Sequence, residues 1–120
     1  MKLREICKLL EADPIVLCDP ACLDKEFTFV AATDLMSDAL ALVKSDSNHT
    51  MFVTGLVHAQ SIRTAEMLDI NILMYVRGKV LNPTDIELAQ EMGMNVFSTR
   101  YSMYDTCGIL YTHGLTTATR

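Results

Sequence analysis

The chain has 120 residues, half of them apolar and 21% charged, enough to bury a core and too hydrophobic for a disordered segment. Ten basic against fifteen acidic residues leave a net charge of −5, which disfavours binding nucleic acid or an anionic membrane by bulk charge. No apolar run approaches the ~20 residues of a membrane span, so the expectation is a small cytoplasmic module.

The opening, MKLREICKLLEAD, is expected to be an amphipathic helix rather than a signal peptide, with Leu3, Ile6, Cys7 and Leu10 on one stripe. Asp13-Pro14 ends it. Ile15 to Leu17 is a short strand, Asp19-Pro20 a turn, and 27–32 the next strand. Met36, Ala39, Leu40 and Val43 form a second helical stripe, with Thr33 or Asp34 as the expected cap. Residues 51–53 are a strand, and Ile62, Ala65, Met67 and Leu68 belong to a helix. A strand at 72–76 follows. Asn82 caps the next helix, with Pro83 at its first position, Ile86, Ala89 and Met92 inward and Gly93 at its end. A strand at 96–97 leads to a last helix that Ser102 caps, running to His113-Gly114. Residues 1–115 are expected to form one domain, and 116–120 a loose tail.

The alternation of strand and helix, with strands that are continuous apolar runs, predicts an α/β fold with a mostly parallel sheet covered on both faces. Ligands of such sheets bind beyond the carboxyl ends of the strands, where helix N-termini converge. The candidate binding residues are therefore Thr33, Asp34 and Ser37 after the first of these strands, and Thr54, Gly55 and His58 after the second. Arg77, Gly78 and Lys79 follow the third, and Ser98, Thr99 and Arg100 the fourth. Together they suit a small anionic molecule. The same residue types also serve as helix caps and solvated loops.

Catalytic motifs are absent: Gly78-Lys79 is followed by Val80, so there is no P-loop, and no G-x-G-x-x-G or G-x-S-x-G occurs. Ser37, His58 and Asp34 form a set that any globular chain of this size could supply and that proves nothing alone, and a small enzyme with His58 as general base stands as a further alternative. Four cysteines, at 7, 18, 22 and 107, lack the repeated short spacings of a metal site, and Cys7 and Cys107 suit buried apolar positions. Cys18 and Cys22 leave an iron–sulfur or redox role as an alternative. The primary expectation includes no cofactor and no metal.

Several of these segments match a known pattern: Ala32 to Asp38 (ATDLMSD), Thr54-Gly55-Leu56-Val57-His58, Val76-Arg77-Gly78-Lys79, Leu88-Ala89 with Gly93, Ser98-Thr99, and Cys107-Gly108-Ile109-Leu110-Tyr111. With the opening helix and Leu23-Asp24-Lys25-Glu26, they resemble the DRTGG domain family over about residues 1–115, in its stand-alone clostridial and thermophile type. The resemblance implies a three-layer sandwich with a mixed sheet, like the N-terminal domain of HPr kinase/phosphorylase, without the kinase's phosphate loop. It implies a dimerising regulatory element, found elsewhere fused to CBS domains in regulatory pyrophosphatases and to phosphotransacetylase. Relatives encoded beside iron-hydrogenase and NADH-linked iron–sulfur subunits make such redox subunits possible partners. At 77–79 only one glycine of the name-giving motif is kept and the flanking positions are basic, which favours a more anionic ligand.

Overall fold

In the computed structural model, which describes residues 1–43 and 46–118, the first helix is α1 (Leu3–Leu10), followed by β1 (Asp13–Leu17) and a 3-10 turn at Pro20–Asp24. Then come β2 (Phe29–Ala32), α2 (Met36–Leu42), β3 (Thr50–Thr54), α3 (Ala59–Met67), β4 (Ile72–Tyr75), α4 (Pro83–Glu91), β5 (Asn95–Ser98), α5 (Met103–Thr112) and β6 (Thr116–Thr117). The six strands lie in the order β1-β5-β4-β3-β2-β6, with β1 antiparallel to β5 and every other pair parallel. The fold is thus an α/β sandwich with a mostly parallel mixed sheet.

Period-two alternation divides the buried side chains between two cores. Phe52, Leu73, Tyr75 and Val96 point to one face and pack against α2, α3 and α4 through Met36, Ala39, Ile62, Ala65 and Ala89. Met51, Val53, Ile72, Met74 and Phe97 point to the other and meet α1 and α5 through Leu3, Ile6, Leu10 and Leu110. Both faces are covered, which is why β3 and β4 are buried at every position.

Several expectations need correction. Phe27 and Thr28 precede β2; the Phe27 amide donates to the Met1 carbonyl, and the ring fills the α1–α5 core. Leu35, not Thr33 or Asp34, is the N-cap of α2, and the Thr33 hydroxyl accepts from the Leu35 amide in a local turn. Leu40 is 43% exposed, so it leaves the apolar stripe assigned to its helix, and Leu68 is the C-cap of α3 rather than part of it. Cys7 and Cys107 are half-buried, whereas Cys22 is the buried thiol. The tail does not hang loose from 116: Thr116 and Thr117 pair with Phe29 and Val30, and Ala118 is buried. Thr119 and Arg120 lie outside the described residues.

The local signals for the later helices hold. The Asn82 side chain accepts from the Asp85 amide at 2.8 Å with Pro83 in the first turn, and Ser102 accepts from the Asp105 amide at 3.1 Å. Gly93 closes α4 at φ +68°. Pro14, with no amide to donate, sits in β1 at the sheet edge, beside a register shift between Pro14 and Val16.

Candidate functional site at the carboxyl edge of the sheet

Because β2 to β5 run parallel, their carboxyl ends share one rim, in the spatial order β5, β4, β3, β2. The segments after β2, β3 and β4 lead to α2, α3 and α4 on one face, whereas the segment after β5 leads to α5 on the other. Connections therefore diverge only between β4 and β5. That divergence is where open α/β sheets form a crevice.

Residues 76–79 and 98–101 line this junction and are stitched together. The Arg77 amide donates to the Tyr101 carbonyl and the Gly78 amide to the Thr99 carbonyl, both at 2.8 Å. The Ser98 hydroxyl donates to the Lys79 carbonyl at 2.9 Å. Thr99, wholly enclosed, donates its hydroxyl to the Leu10 carbonyl at 2.6 Å, tying the rim to the end of α1. The Thr99 and Ser98 hydroxyls are thus committed to internal bonds.

The cations of the same segments are not committed. Arg77, Lys79 and Arg100 are exposed, and none is in an ion pair among the described residues. Arg77 is held at φ +66° and Gly78 at φ +69°, a left-handed pair that glycine adopts freely and arginine does only at a cost of roughly 1 kcal/mol. Gly78 lies against Arg100, whose Cγ is 3.7 Å from where a glycine β-carbon would stand. The turn therefore packs against Arg100, which also lines a groove with Leu10, Glu11, Asp13 and Tyr101.

The β2–β3 half of the rim is organised differently. The Asp34 carboxylate accepts the Gly55 amide at 2.6 Å and the Thr54 hydroxyl at 3.4 Å. Thr54 is buried, and its oxygen accepts from the Leu56 amide at 3.1 Å. A β-carbon on Gly55 would stand 2.9 Å from Arg77 Nη2 and 3.2 Å from Asp34 Oδ1. The missing side chain thus lets the chain's own acid and a guanidinium close on the Gly55 backbone.

His58 caps α3, its Nδ1 accepting from the Gln60 amide at 3.2 Å. With Ser37 it lines a groove of about 450 Å3 between α2 and α3, together with Leu40, Arg63 and Met67. Ser37, His58 and Asp34 share no hydrogen bond: the Asp34 carboxylate bonds to Gly55 and Thr54, and the His58 ring to Gln60. They do not form a nucleophile–base–acid relay. Asp38 is exposed on the first turn of α2.

Beneath the rim lies a pair the sequence did not advertise. The Tyr75 and Ser61 hydroxyls meet at 2.8 Å, and the Ser61 hydroxyl is 2.8 Å from the His58 carbonyl it donates to. Burial pushes the Tyr75 phenol up to about 12 against the pull of Ser61, and the nearby Asp85 charge adds to the rise. Burial likewise lifts the thiols of Cys7 and Cys22 to about 11, the reverse of what a reactive or metal-ligating thiolate needs. Cys18 is exposed, its thiol 3.9 Å from the Gln90 carbonyl. No cluster of three His, Cys, Asp or Glu side chains able to hold a metal occurs among the described residues.

A groove of about 800 Å3 runs along α5, lined by Tyr101, Tyr104, Cys107, Gly108 and Tyr111. Tyr104 is 86% and Tyr111 80% exposed, one on each side of Gly108. Helical spacing puts the three on one side of α5. Among the described residues, no helix is long and apolar enough to cross a membrane.

Comparison with known proteins places the fold. One solved structure, the CBS and DRTGG domains of the regulatory region of Clostridium perfringens pyrophosphatase complexed with the activator diadenosine tetraphosphate, superposes with a TM-score of 0.69 at 17% identity. The match covers 91% of this chain and 45% of that one. The architecture is DRTGG-like. No family model matches the chain, and no curated protein does. This chain spans less than half the length of its structural neighbour.

Proposed function

We propose that the chain is a non-catalytic regulatory or scaffold module that works as a homodimer and senses a small anionic metabolite at the rim. Nucleotides and other phosphate-bearing metabolites are the ligand class. One observation carries the ligand half of this reading. In a chain of net charge −5, Arg77, Lys79 and Arg100 rise from the two adjoining segments at the β4–β5 divergence and make no ion pair among the described residues. Guanidinium and ammonium groups left unpaired at a crevice suit phosphate oxygens, and charge-assisted bonds there are the strong ones. The structural neighbour, a regulatory region complexed with a nucleotide activator, makes diadenosine tetraphosphate a natural member of the test panel.

A thermal-shift series with ATP, AMP, NADH, acetyl phosphate and diadenosine tetraphosphate at millimolar concentration tests the reading. At least one stabilises the chain, in a salt-sensitive way. No shift with any of the five removes the sensing role.

The pairing half is supported by the exposed Tyr104 and Tyr111 on α5. Aromatic side chains of this size dominate the energetics of protein interfaces. A light-scattering mass of two chains at micromolar concentration is expected, and a single-chain mass refutes it. Association with hydrogenase or other redox-enzyme subunits rests on the family resemblance, and co-purification with those subunits is its test.

A further inference from the structure

The geometry points to an oxyanion subsite made by the Gly55 amide, the Thr54 hydroxyl and the Arg77 guanidinium, which takes a phosphoryl group in competition with the Asp34 carboxylate that fills it. This rests on the anion-sensing reading above and adds where the phosphoryl group sits and what it must displace.

Three features mark the subsite as built for an oxyanion. The Gly55 amide donates to a carboxylate oxygen at 2.6 Å, so the position already holds one. The Thr54 hydroxyl is orientated: its oxygen accepts from the Leu56 amide, which leaves its proton for the same carboxylate oxygen at 3.4 Å. Thr54 is the buried last residue of β3, and Gly55, also buried, follows it directly.

Arg77 completes the set from the neighbouring segment. Its Nη2 is 2.9 Å and Asp34 Oδ1 3.2 Å from the position of an absent Gly55 β-carbon, yet no nitrogen of Arg77 lies within 4.0 Å of the carboxylate. The acid satisfies the amide and the hydroxyl and leaves the guanidinium without an ion-pair partner among the described residues. A phosphoryl group is wider than a carboxylate and carries a third oxygen. Seated on the same two donors, it has an oxygen left to turn towards Arg77.

The test uses the full chain and inorganic pyrophosphate, followed by calorimetry and by the amide NMR signal of Gly55. Pyrophosphate is expected to bind the parent chain and move the Gly55 signal. Asp34→Ala removes the competitor and binds at least tenfold more tightly, whereas the double variant Asp34→Ala/Arg77→Ala loses that gain. Asp34→Asn, which keeps an oxygen for the Gly55 amide and discards the charge, binds more tightly by a smaller factor and serves if the alanine variant does not fold. Binding by the parent chain with no tightening in either Asp34 variant overturns the competition and leaves the sensing role standing. No binding by the parent or by any folded Asp34 variant overturns both.

Discussion

The two halves of the rim use the same kinds of residue in opposite ways. After β2 and β3, charge is consumed inside the molecule: Asp34 is spent on Gly55 and Thr54. After β4 and β5 the backbone and hydroxyls are consumed, through Arg77, Gly78, Ser98 and Thr99, while the cationic side chains are left over. A polar residue at a strand end is therefore a candidate for recognition when its hydrogen bonds are free, or when they are held by a partner that a ligand can displace, as Asp34 is held at Gly55. By that standard Arg77, Lys79 and Arg100 remain, and Thr99 and Ser98 become supports.

The contrast can be broken most directly by removing the cations. Arg77→Ala with Lys79→Ala is expected to weaken phosphate-ligand binding by roughly tenfold to a hundredfold for each cation removed, with unfolding by urea little changed. Calorimetric titration checks it, and unchanged affinity dissolves the distinction between the two halves.

Thr99→Val should act in the other direction, on stability rather than affinity. It strands the Leu10 carbonyl at the buried junction with α1, at a cost of about 2 kcal/mol. The urea midpoint reports this, and a midpoint equal to the parent's shows that water or a neighbour replaces the hydroxyl.

Arg77→Gly sharpens the comparison, because it relieves backbone strain and deletes a cation together. At φ +66° glycine is the better residue, so the variant should gain up to about 1 kcal/mol while losing ligand response. Such a pair of opposite effects identifies an arginine kept for what it binds. A loss in both measurements identifies one kept for packing.

The smallest effect is alkaline. Tyr75 holds its proton to about pH 12 when folded, above an ordinary tyrosine near 10, so its contribution to stability is complete below pH 10 and is lost as pH rises towards 12. Urea midpoints across that interval should fall more steeply for the parent than for Tyr75→Phe. Parallel slopes show that Tyr75 titrates as an exposed phenol does.

Much of the architecture could be read before the structure. The caps at Asn82 and Ser102 and the terminating Gly93 act within a few residues of themselves, so their meaning travels with the local sequence. The continuous apolar runs of β3 and β4 likewise announced a sheet covered on both faces. The failures have a common origin in distance. The Thr33-Asp34 pair looks like a cap in isolation, but Asp34 reaches Gly55, 21 residues on. The tail looks loose because two threonines and an alanine carry little hydrophobic signal, and only β2 beside them supplies backbone partners.

Periodicity and the chemistry of turns were enough to say that this chain is a covered, mostly parallel sheet with polar residues crowded on one rim, since such preferences depend on near neighbours along the backbone. Which of those residues are free to meet a ligand was settled by the packing alone. The antiparallel β1 against β5, and Thr99 reaching the end of α1 across 89 residues, arise only once the strands are ordered side by side. A hydrogen bond has few donors and acceptors to share, and the fold claims its portion before any ligand arrives.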